Sequence, residues 1–293
     1  MRSISLRSPA KLNLYLKVIN KRKDGFHNLV TLFERINLCD EIQLTVNPQG
    51  KIRIFCDHPH VPLGPQNLAY QAARMLKDDF ALRNGVDIKI RKRIPVAAGL
   101  AGGSSNAASV LMGLNRLWAL SLNNKELIYY AAKIGSDVPF FLHETNWAIG
   151  TDRGDRIKKV FLTTKLWHVL VVPRRPVYTA EVFETLAVES RQAPNLKLTK
   201  IGSDVNILIR TLKKNDVPKV GRLLSNDLER AMLRLCPNLS YLKDKMRHLN
   251  TKGVGFSGSG PAIFGLTESQ KEAEVLRSAL KKTYSQVFVV STL

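Results

Sequence analysis

The sequence predicts an α+β protein, in which strands and helices both contribute to the core without a regular β–α–β order. Residues 10–19 alternate between apolar and polar side chains, with Leu12 and Leu14 on one side and Lys11 and Asn13 on the other. That period of two is typical of a strand with one buried face. It also places Lys11 and Asn13 close together on the same face.

Helical spacing after residue 102 is the second observation. Ala107, Leu111, Leu114 and Trp118 follow one another at intervals of three or four residues, which places them on one apolar face of a helix. The third is the length of 293 residues, which suits one large domain or two medium-sized domains. We expect an N-terminal domain of residues 1–160 and a C-terminal domain of residues 161–293.

The same patterns predict the remaining elements in chain order. In the first half we expect strands at residues 41–46, 51–56 and 86–90 and helices at residues 67–77 and 124–134. In the second half we expect strands at residues 166–172, 254–256, 262–266 and 286–290, and helices at residues 205–213, 216–225 and 239–249.

The net charge of +21, from 45 Lys and Arg against 24 Asp and Glu, suggests an anionic partner. The cations lie in short runs, such as residues 21–23 and 91–93, rather than in one long basic tail. This distribution favours a solvated basic surface with one anion-binding cleft and disfavours nucleic acid as the partner. A polyanion partner stays a rival explanation.

The cysteines and the chain's hydropathy indicate the compartment. Cys39, Cys56 and Cys236 form no C-x-x-C pair, and their odd number argues against a disulfide framework. Residues 1–10 lack the apolar segment of a signal peptide, and no stretch approaches ~18 apolar residues. We expect a soluble cytoplasmic protein with no membrane partner, and we predict no oligomeric state.

A glycine-rich loop (residues 95–105) precedes the helix that contains Ala107. It consists of Pro95, Val96, Ala97, Ala98, Gly99, Leu100, Ala101, Gly102, Gly103, Ser104 and Ser105. Glycines let backbone N–H groups approach an anion closely, and the following helix directs the positive end of its dipole at that anion. The serines occupy the expected N-cap, and their hydroxyls are candidates to contact phosphate or a metal. The loop lacks the Gly-Lys-Ser/Thr of a Walker A loop and the spacing of a Rossmann fingerprint. Without further evidence, an ordinary glycine-rich turn stays the alternative.

The glycine-rich loop resembles the phosphate-binding motif of the GHMP kinases, which act on galactose, homoserine, mevalonate and phosphomevalonate. Three residues separate Leu100 from Ser104, as in a branch of that family whose acceptor alcohol carries cytidine diphosphate. Residues 8–14, 24–29, 135–140 and 255–260 resemble four further motifs of that branch in the same order. The loop departs from the family pattern at Ala97, Ala98 and Ala101, where glycine is common.

The resemblance implies a two-domain GHMP kinase fold with the ATP and substrate cleft between the domains. It makes the whole glycine-rich loop part of the ATP site, with Asn67 near the adenine and ribose. It assigns Asp137 as the catalytic base and Lys11 as the catalytic lysine. A serine–glycine loop (residues 257–260) is expected beside the phosphates. ATP chemistry implies Mg²⁺, for which the sequence offers no carboxylate ligand and only Ser105 as a candidate.

The resemblance also places the acceptor. Phe26 and His27 match positions that hold the cytosine base, with Asn13 nearby, and Phe183 matches a second ring that closes the clamp. Thr179 lies within reach of the same ligand. Phe26 stands where tyrosine is common, so a ring is kept and a hydroxyl is lost. Taken alone, Phe183 is compatible with a core residue and His27 with an exposed one.

These features predict an ATP-dependent kinase that phosphorylates a hydroxyl of a small alcohol linked to cytidine diphosphate. A GHMP kinase for mevalonate, homoserine or a sugar is the first alternative, and the aromatic residues argue against it. A basic RNA-binding protein on a related α+β fold is the second.

Overall fold

The computed structural model describes residues 2–174, 177–192 and 203–293. The first part of the chain folds into β1 (Ser3–Lys21), β2 (His27–Asn47), β3 (Ile52–Cys56), α1 (Leu68–Asp79), β4 (Gly85–Arg91), α2 (Gly102–Leu117), α3 (Asn124–Ile134), α4 (Val138–Leu142), β5 (Trp147–Thr151) and β6 (Arg156–Lys159). The second part folds into β7 (Trp167–Val171), α5 (Thr179–Gln192), α6 (Ser203–Lys213), α7 (Val217–Leu223), β8 (Ser225–Asn226), α8 (Glu229–Leu235), α9 (Asn238–His248), β9 (Gly253–Phe256), β10 (Ile263–Thr267), α10 (Gln270–Lys281) and β11 (Val287–Ser291).

The first sheet is organised around the long hairpin of β1 and β2. Its strands lie in the order β3-β4-β2-β1-β8, and β5 and β6 extend it from the other end of β2. One end of β2 pairs with β4 and the other end, at residues 31–34, pairs with β5. Helices α1 to α4 pack on this sheet through fully buried side chains that include Leu44, Leu76, Leu111 and Phe140. β2 is therefore the central strand of this sheet, and β1 lies between β2 and β8.

The second sheet has the order β11-β7-β10-β9, and all its neighbouring strands are antiparallel. A shared core joins it to the first sheet, because Leu12 and Leu32 of the hairpin pack in one buried cluster with Leu170 and Phe264. A buried polar link crosses the same boundary. His168 Nε2 lies 2.9 Å from Glu34 Oε2, and both side chains are inaccessible to solvent.

The predicted α+β class is confirmed, and the predicted strand at residues 10–19 is the centre of a longer strand, β1. The predicted boundary near residue 160 falls between β6 and β7, yet β8 crosses back to pair with β1 at Tyr15 and Leu16. The division at residue 160 stays a prediction. The patterns missed the short elements α4, α8, β5, β6 and β8, and also helices α5 and α10. No helix within the described ranges has the length and apolar character needed to cross a bilayer.

Candidate active site

A cavity of about 1100 Å³ is lined by residues from both halves of the chain. Of the residues predicted from the sequence, the cavity wall contains Lys11, Asn13, Phe26, His27, Asn67, Asp137, Thr179, Phe183 and every residue of the glycine-rich loop except Ser105. Residues more than 100 positions apart, such as Lys11 and Asp137, meet here because β1, α2 and the serine–glycine loop all border the cavity.

The glycine-rich loop turns through three left-handed residues. Ala97, Gly99 and Ala101 have φ values of 54°, 77° and 54°. An L-residue in that region costs about 1–2 kcal/mol, so the two alanines carry local strain that glycine would not. At Gly99 glycine is required, because a Cβ there would lie 2.1 Å from Ser257 O.

Three backbone contacts hold the loop against its neighbours. Ser257 Oγ donates to Gly99 O at 2.9 Å, and Ala262 N donates to Ala98 O at 3.2 Å. On the other side Lys11 N donates to Leu100 O at 3.2 Å. The loop is thus fixed to β1 and to the second sheet in the ligand-free protein.

Helix α2 begins three residues earlier than an N-cap at Ser104 would place it. Its N-cap is the left-handed Ala101, so Gly102 and Gly103 open the helix and Ser104 lies within the first turn. Ser105 N already donates to Ala101 O at 2.9 Å, which leaves the preceding N–H groups as the donors that point out of the helix end. The expected serine N-cap is therefore wrong, and the exposed donors come from the glycines and Ser104.

Ser105 does not reach the cavity. Its side chain is fully buried, and its hydroxyl accepts a hydrogen bond from Ser8 Oγ at 2.8 Å. The register set by Ala101 turns Ser105 inward and Ser104 toward the cavity. Ser104 thus takes the place expected of Ser105 as the hydroxyl available to a phosphate or a metal.

Lys11 and Asp137 come together as the resemblance implies. Lys11 Nζ lies 3.7 Å from Asp137 Oδ2 and donates to Asn13 Oδ1 at 2.5 Å. Burial lowers the pKa of Lys11, and the nearby carboxylate of Asp137 opposes that effect. Asn13 is itself oriented by donating from Nδ2 to Thr31 Oγ1 at 2.7 Å. The ammonium group is therefore held rigidly beside a partly exposed carboxylate.

Asp137 is carried at the start of the short helix α4, and Arg35 holds the other end of that helix. Arg35 Nη2 donates to Phe140 O at 3.1 Å and to His143 O at 2.8 Å. Burial lowers the pKa of Arg35 to about 10, so the guanidinium stays charged at neutral pH. Arg35 of β2 is directly opposite Lys11 of β1. The β1–β2 hairpin therefore positions Lys11 directly and Asp137 through the contacts of Arg35 with α4.

The two rings that the resemblance assigns to a cytosine clamp lie in direct contact with each other. The rings of His27 and Phe183 stack on each other, with centroids 4.7 Å apart and 20° between planes. A base stacked on both faces needs about 7 Å between the two rings, twice the ~3.4 Å spacing of stacked bases.

Two further predicted residues line the same cavity. The ring of Phe26 is 51% exposed, and Thr179 Oγ1 lies 2.8 Å from Ser259 Oγ. Burial, together with Lys21, lowers the pKa of His27, which keeps the imidazole neutral near pH 7.

Asn67 reaches the cavity wall in a structural role. Its side chain caps α1 by accepting from Ala69 N at 2.9 Å and donates to Pro62 O at 2.8 Å. The serine–glycine loop also borders the cavity, and a Cβ on Gly258 would stand 3.2 Å from Lys11 Nζ.

Sequence reasoning missed three cations on the cavity wall: Lys21, Lys92 and Arg153. Lys21 and Lys92 belong to short basic runs that resemble any solvated surface, and nothing in a list of 45 cations distinguishes the inward ones. Within the described part of the chain, no group of three or more His, Cys, Asp or Glu side chains is arranged to hold a metal ion.

Comparison with known proteins identifies the family and the fold of the chain. The model of the GHMP kinase N-terminal domain matches residues 67–145, and that of the GHMP kinase C-terminal domain matches residues 208–286. Homoserine kinase from Cytophaga hutchinsonii (TM-score 0.73, 20% identity, 99% of this chain and 94% of that one) shares the fold. So does L. major mevalonate kinase (TM-score 0.77, 16% identity, 99% and 96% coverage).

The chain belongs to the GHMP kinase family. Within that family it is 41% identical to a 4-diphosphocytidyl-2-C-methyl-D-erythritol kinase of Geobacillus kaustophilus, over 99% of this chain and 97% of the relative. The Bacillus subtilis kinase of the same name is 38% identical, over 97% and 95% of the two chains. A crystal structure titled 4-(cytidine 5'-diphospho)-2C-methyl-D-erythritol kinase superposes with a TM-score of 0.80 at 33% identity, covering 98% of each chain.

Proposed function

We propose that the protein is an ATP-dependent kinase that phosphorylates the 2-hydroxyl of 4-diphosphocytidyl-2-C-methyl-D-erythritol. The observation that carries this proposal is the Lys11–Asp137 pair, which lies in one cavity between a glycine-rich loop and an aromatic pair. Full-length relatives at about 40% identity bear the name of that kinase.

The donor side of the cavity suits a nucleoside triphosphate. The N–H groups of Gly102, Gly103 and Ser104 lie at the N-terminus of α2, where the positive end of the helix dipole favours a bound anion. Lys92 and Lys11 add positive charge on the same wall. Ser104, whose residue lines this wall, would offer its hydroxyl to a Mg²⁺ held mainly by the phosphates, as is usual for this ion. When bound there, Mg²⁺ neutralises charge on the phosphoryl oxygens.

The chemical step needs a group that accepts the proton of the acceptor hydroxyl. Asp137 is 34% exposed to the cavity and lies beside the Lys11 ammonium, so it is placed to take that proton. Lys11 stabilises the negative charge of the phosphoryl group during transfer. Asn13 keeps the ammonium in place and contributes no proton of its own.

The acceptor side accounts for the base. Phe26, His27 and Phe183 offer stacking surfaces, and the neutral imidazole of His27 both donates to and accepts from the edge of a cytosine. A kinase for mevalonate or homoserine has no base to stack. Cytoplasmic location and the absence of a nucleic-acid partner stay predictions from the sequence.

A coupled assay of ADP release over a panel of acceptor alcohols tests the proposal. We expect turnover with the cytidyl acceptor and none with mevalonate, homoserine or galactose. Turnover with another member of the panel alone would assign a different GHMP kinase. Filter binding of mixed DNA and RNA at ~150 mM salt addresses the net charge, and submicromolar affinity without ADP release would favour the nucleic-acid alternative.

A further inference from the structure

Asp40 is a fully buried carboxylate in β2 that the proposed chemistry does not use. It accepts four hydrogen bonds. Lys92 Nζ donates to Oδ2 at 2.5 Å and Asn106 Nδ2 donates to Oδ2 at 2.9 Å. The backbone N–H groups of Arg93 and Ile94 donate to Oδ1 at 2.8 Å and 2.9 Å. Each oxygen therefore has two donors, and the charge is compensated by the Lys92 ammonium.

These donors lie at the two ends of the glycine-rich loop. Residues 92–94 lead directly into Pro95, and Asn106 directly follows Ser105. One carboxylate therefore binds the residues that enter the loop and the residue that leaves it. No other side chain among the described residues is shown to form hydrogen bonds with both ends.

The contacts extend from Asp40 to the floor of the cavity. Asn106 Nδ2 also donates to Ser8 Oγ at 2.9 Å, and Ser8 Oγ donates to Ser105 Oγ at 2.8 Å. Lys92 Nζ packs against the first residue of α2, 3.0 Å from the position that a Cβ on Gly102 would occupy. The Asp40 network therefore contacts the helix end whose N–H groups are proposed to bind phosphate.

The loop needs such support, because Ala97, Gly99 and Ala101 hold left-handed conformations within a span of five residues. Conformations of this kind persist when the surrounding contacts fix them. Fixing both ends limits the conformations open to the loop before the nucleotide arrives, and so lowers the entropy lost on binding.

We propose that Asp40 is a positioning residue that fixes both ends of the glycine-rich loop and thereby sets the affinity for the nucleotide. This rests on the proposed function only in taking the loop as the ATP site. Asp40 acts through Lys92, Asn106 and the backbone and touches neither the acceptor nor the transferred group.

The test is Asp40→Asn, which keeps the size and one acceptor oxygen but places an amide against Lys92 and Asn106. The matched control is Glu41→Gln, the next carboxylate along, which pairs with Arg93 on the surface. We expect Asp40→Asn to raise KM for ATP ~10–100-fold, with kcat at saturating ATP and KM for the acceptor within about threefold of wild type. Glu41→Gln should leave all three unchanged.

A lower melting temperature with an unchanged KM for ATP would assign Asp40 a structural role only and overturn the proposal. If Asp40→Asn fails to fold, Asn106→Ala replaces it, because it removes the contact at one end and keeps the Asp40–Lys92 pair. We expect a ~3–10-fold loss of ATP affinity in that variant, and unchanged affinity overturns the proposal.

Equilibrium titration with a fluorescent ATP analogue, without acceptor, separates this proposal from the proposed function. Weaker analogue binding by the variants supports the role of Asp40 whichever alcohol is phosphorylated. Failure of the wild-type protein to turn over the cytidyl acceptor would count against the proposed function alone.

Discussion

The two sides of the cavity differ in how closely their geometry fits the ligands proposed for them. On the nucleotide side the glycine-rich loop is fixed by Ser257, Ala262 and Lys11, and its donors already point into the cavity. On the acceptor side His27 and Phe183 stack on each other, and their separation of 4.7 Å leaves no room for a base between them.

The difference follows from the chemistry of the two ligands. A triphosphate needs several donors in fixed positions, and mobile donors would lose much of the binding energy to ordering. An aromatic base needs flat apolar surfaces, and two such surfaces gain by covering each other while the ligand is absent. Binding of the acceptor therefore requires the rings to separate, whereas binding of the nucleotide requires little change.

Asp137 lies where the two sides meet, and its loss should have the largest effect. We expect Asp137→Asn to lower kcat ~10²–10⁴-fold while both KM values change less than about threefold, because the amide cannot accept the acceptor's proton. Steady-state ADP release measures this. Asp152→Asn, an exposed carboxylate outside the cavity, is the control. Near-normal turnover in Asp137→Asn would remove this residue from the mechanism.

Gly99→Ala should damage the fixed side alone. The added Cβ meets Ser257 O at 2.1 Å and the residue keeps a φ of +77°, so the loop must shift. We expect a loss of ~100-fold in ATP affinity and of about 2–4 kcal/mol in the free energy of unfolding. Nucleotide titration and urea unfolding measure the two effects. Ala97→Gly, which only relieves strain at a neighbouring left-handed position, should bind ATP normally, and equal behaviour of the two variants would contradict the proposed geometry.

Phe183→Ala should act on the movable side alone. Stacking of a base on an aromatic ring contributes ~1–3 kcal/mol, and part of that is offset because the variant has no closed ring pair to open. We therefore expect KM for the acceptor to rise about 10-fold and KM for ATP to stay constant. Phe161→Ala, whose ring is 84% exposed, is the matched control. A rise in KM for ATP in Phe183→Ala would show that the two sides are coupled.

The smallest expected effect is that of Lys11→Met, which should slightly raise the free energy of unfolding. Burial lowers the pKa of Lys11 from 10.5 in the folded protein, so holding the proton costs stability at neutral pH. The variant should be more stable than wild type at neutral pH, and the difference should close as the pH rises toward 10.5.

Urea unfolding at neutral and alkaline pH measures this stability difference. The exposed Lys159→Met should show no such trend. A less stable Lys11→Met protein at neutral pH would mean that the ammonium stabilises the fold, contrary to the pKa shift.

The sequence was sufficient for the parts of the site that depend on local order. The spacing of the glycine-rich loop indicated a phosphate site, and the alternation in residues 10–19 placed Lys11 beside Asn13. The inward turn of Ser105 was not predictable, because it depends on Ala101 acting as a left-handed N-cap. The roles of Asp40 and Lys92 depend on contacts 52 residues apart in the chain, which no local pattern records. The closed His27–Phe183 pair depends on a contact between two separate halves.

The two-residue strand β8 has a consequence for biosynthesis. A growing chain that has just completed β6 at Lys159 contains all the strands of the first sheet except β8. The outer edge of β1 at Tyr15 and Leu16 gains its partner strand only when Asn226 is made. At ~5–20 residues per second the synthesis of these 67 residues lasts about 3–13 s. During this time an unpaired edge of the central hairpin, next to Lys11, is open to wrong partners on the ribosome.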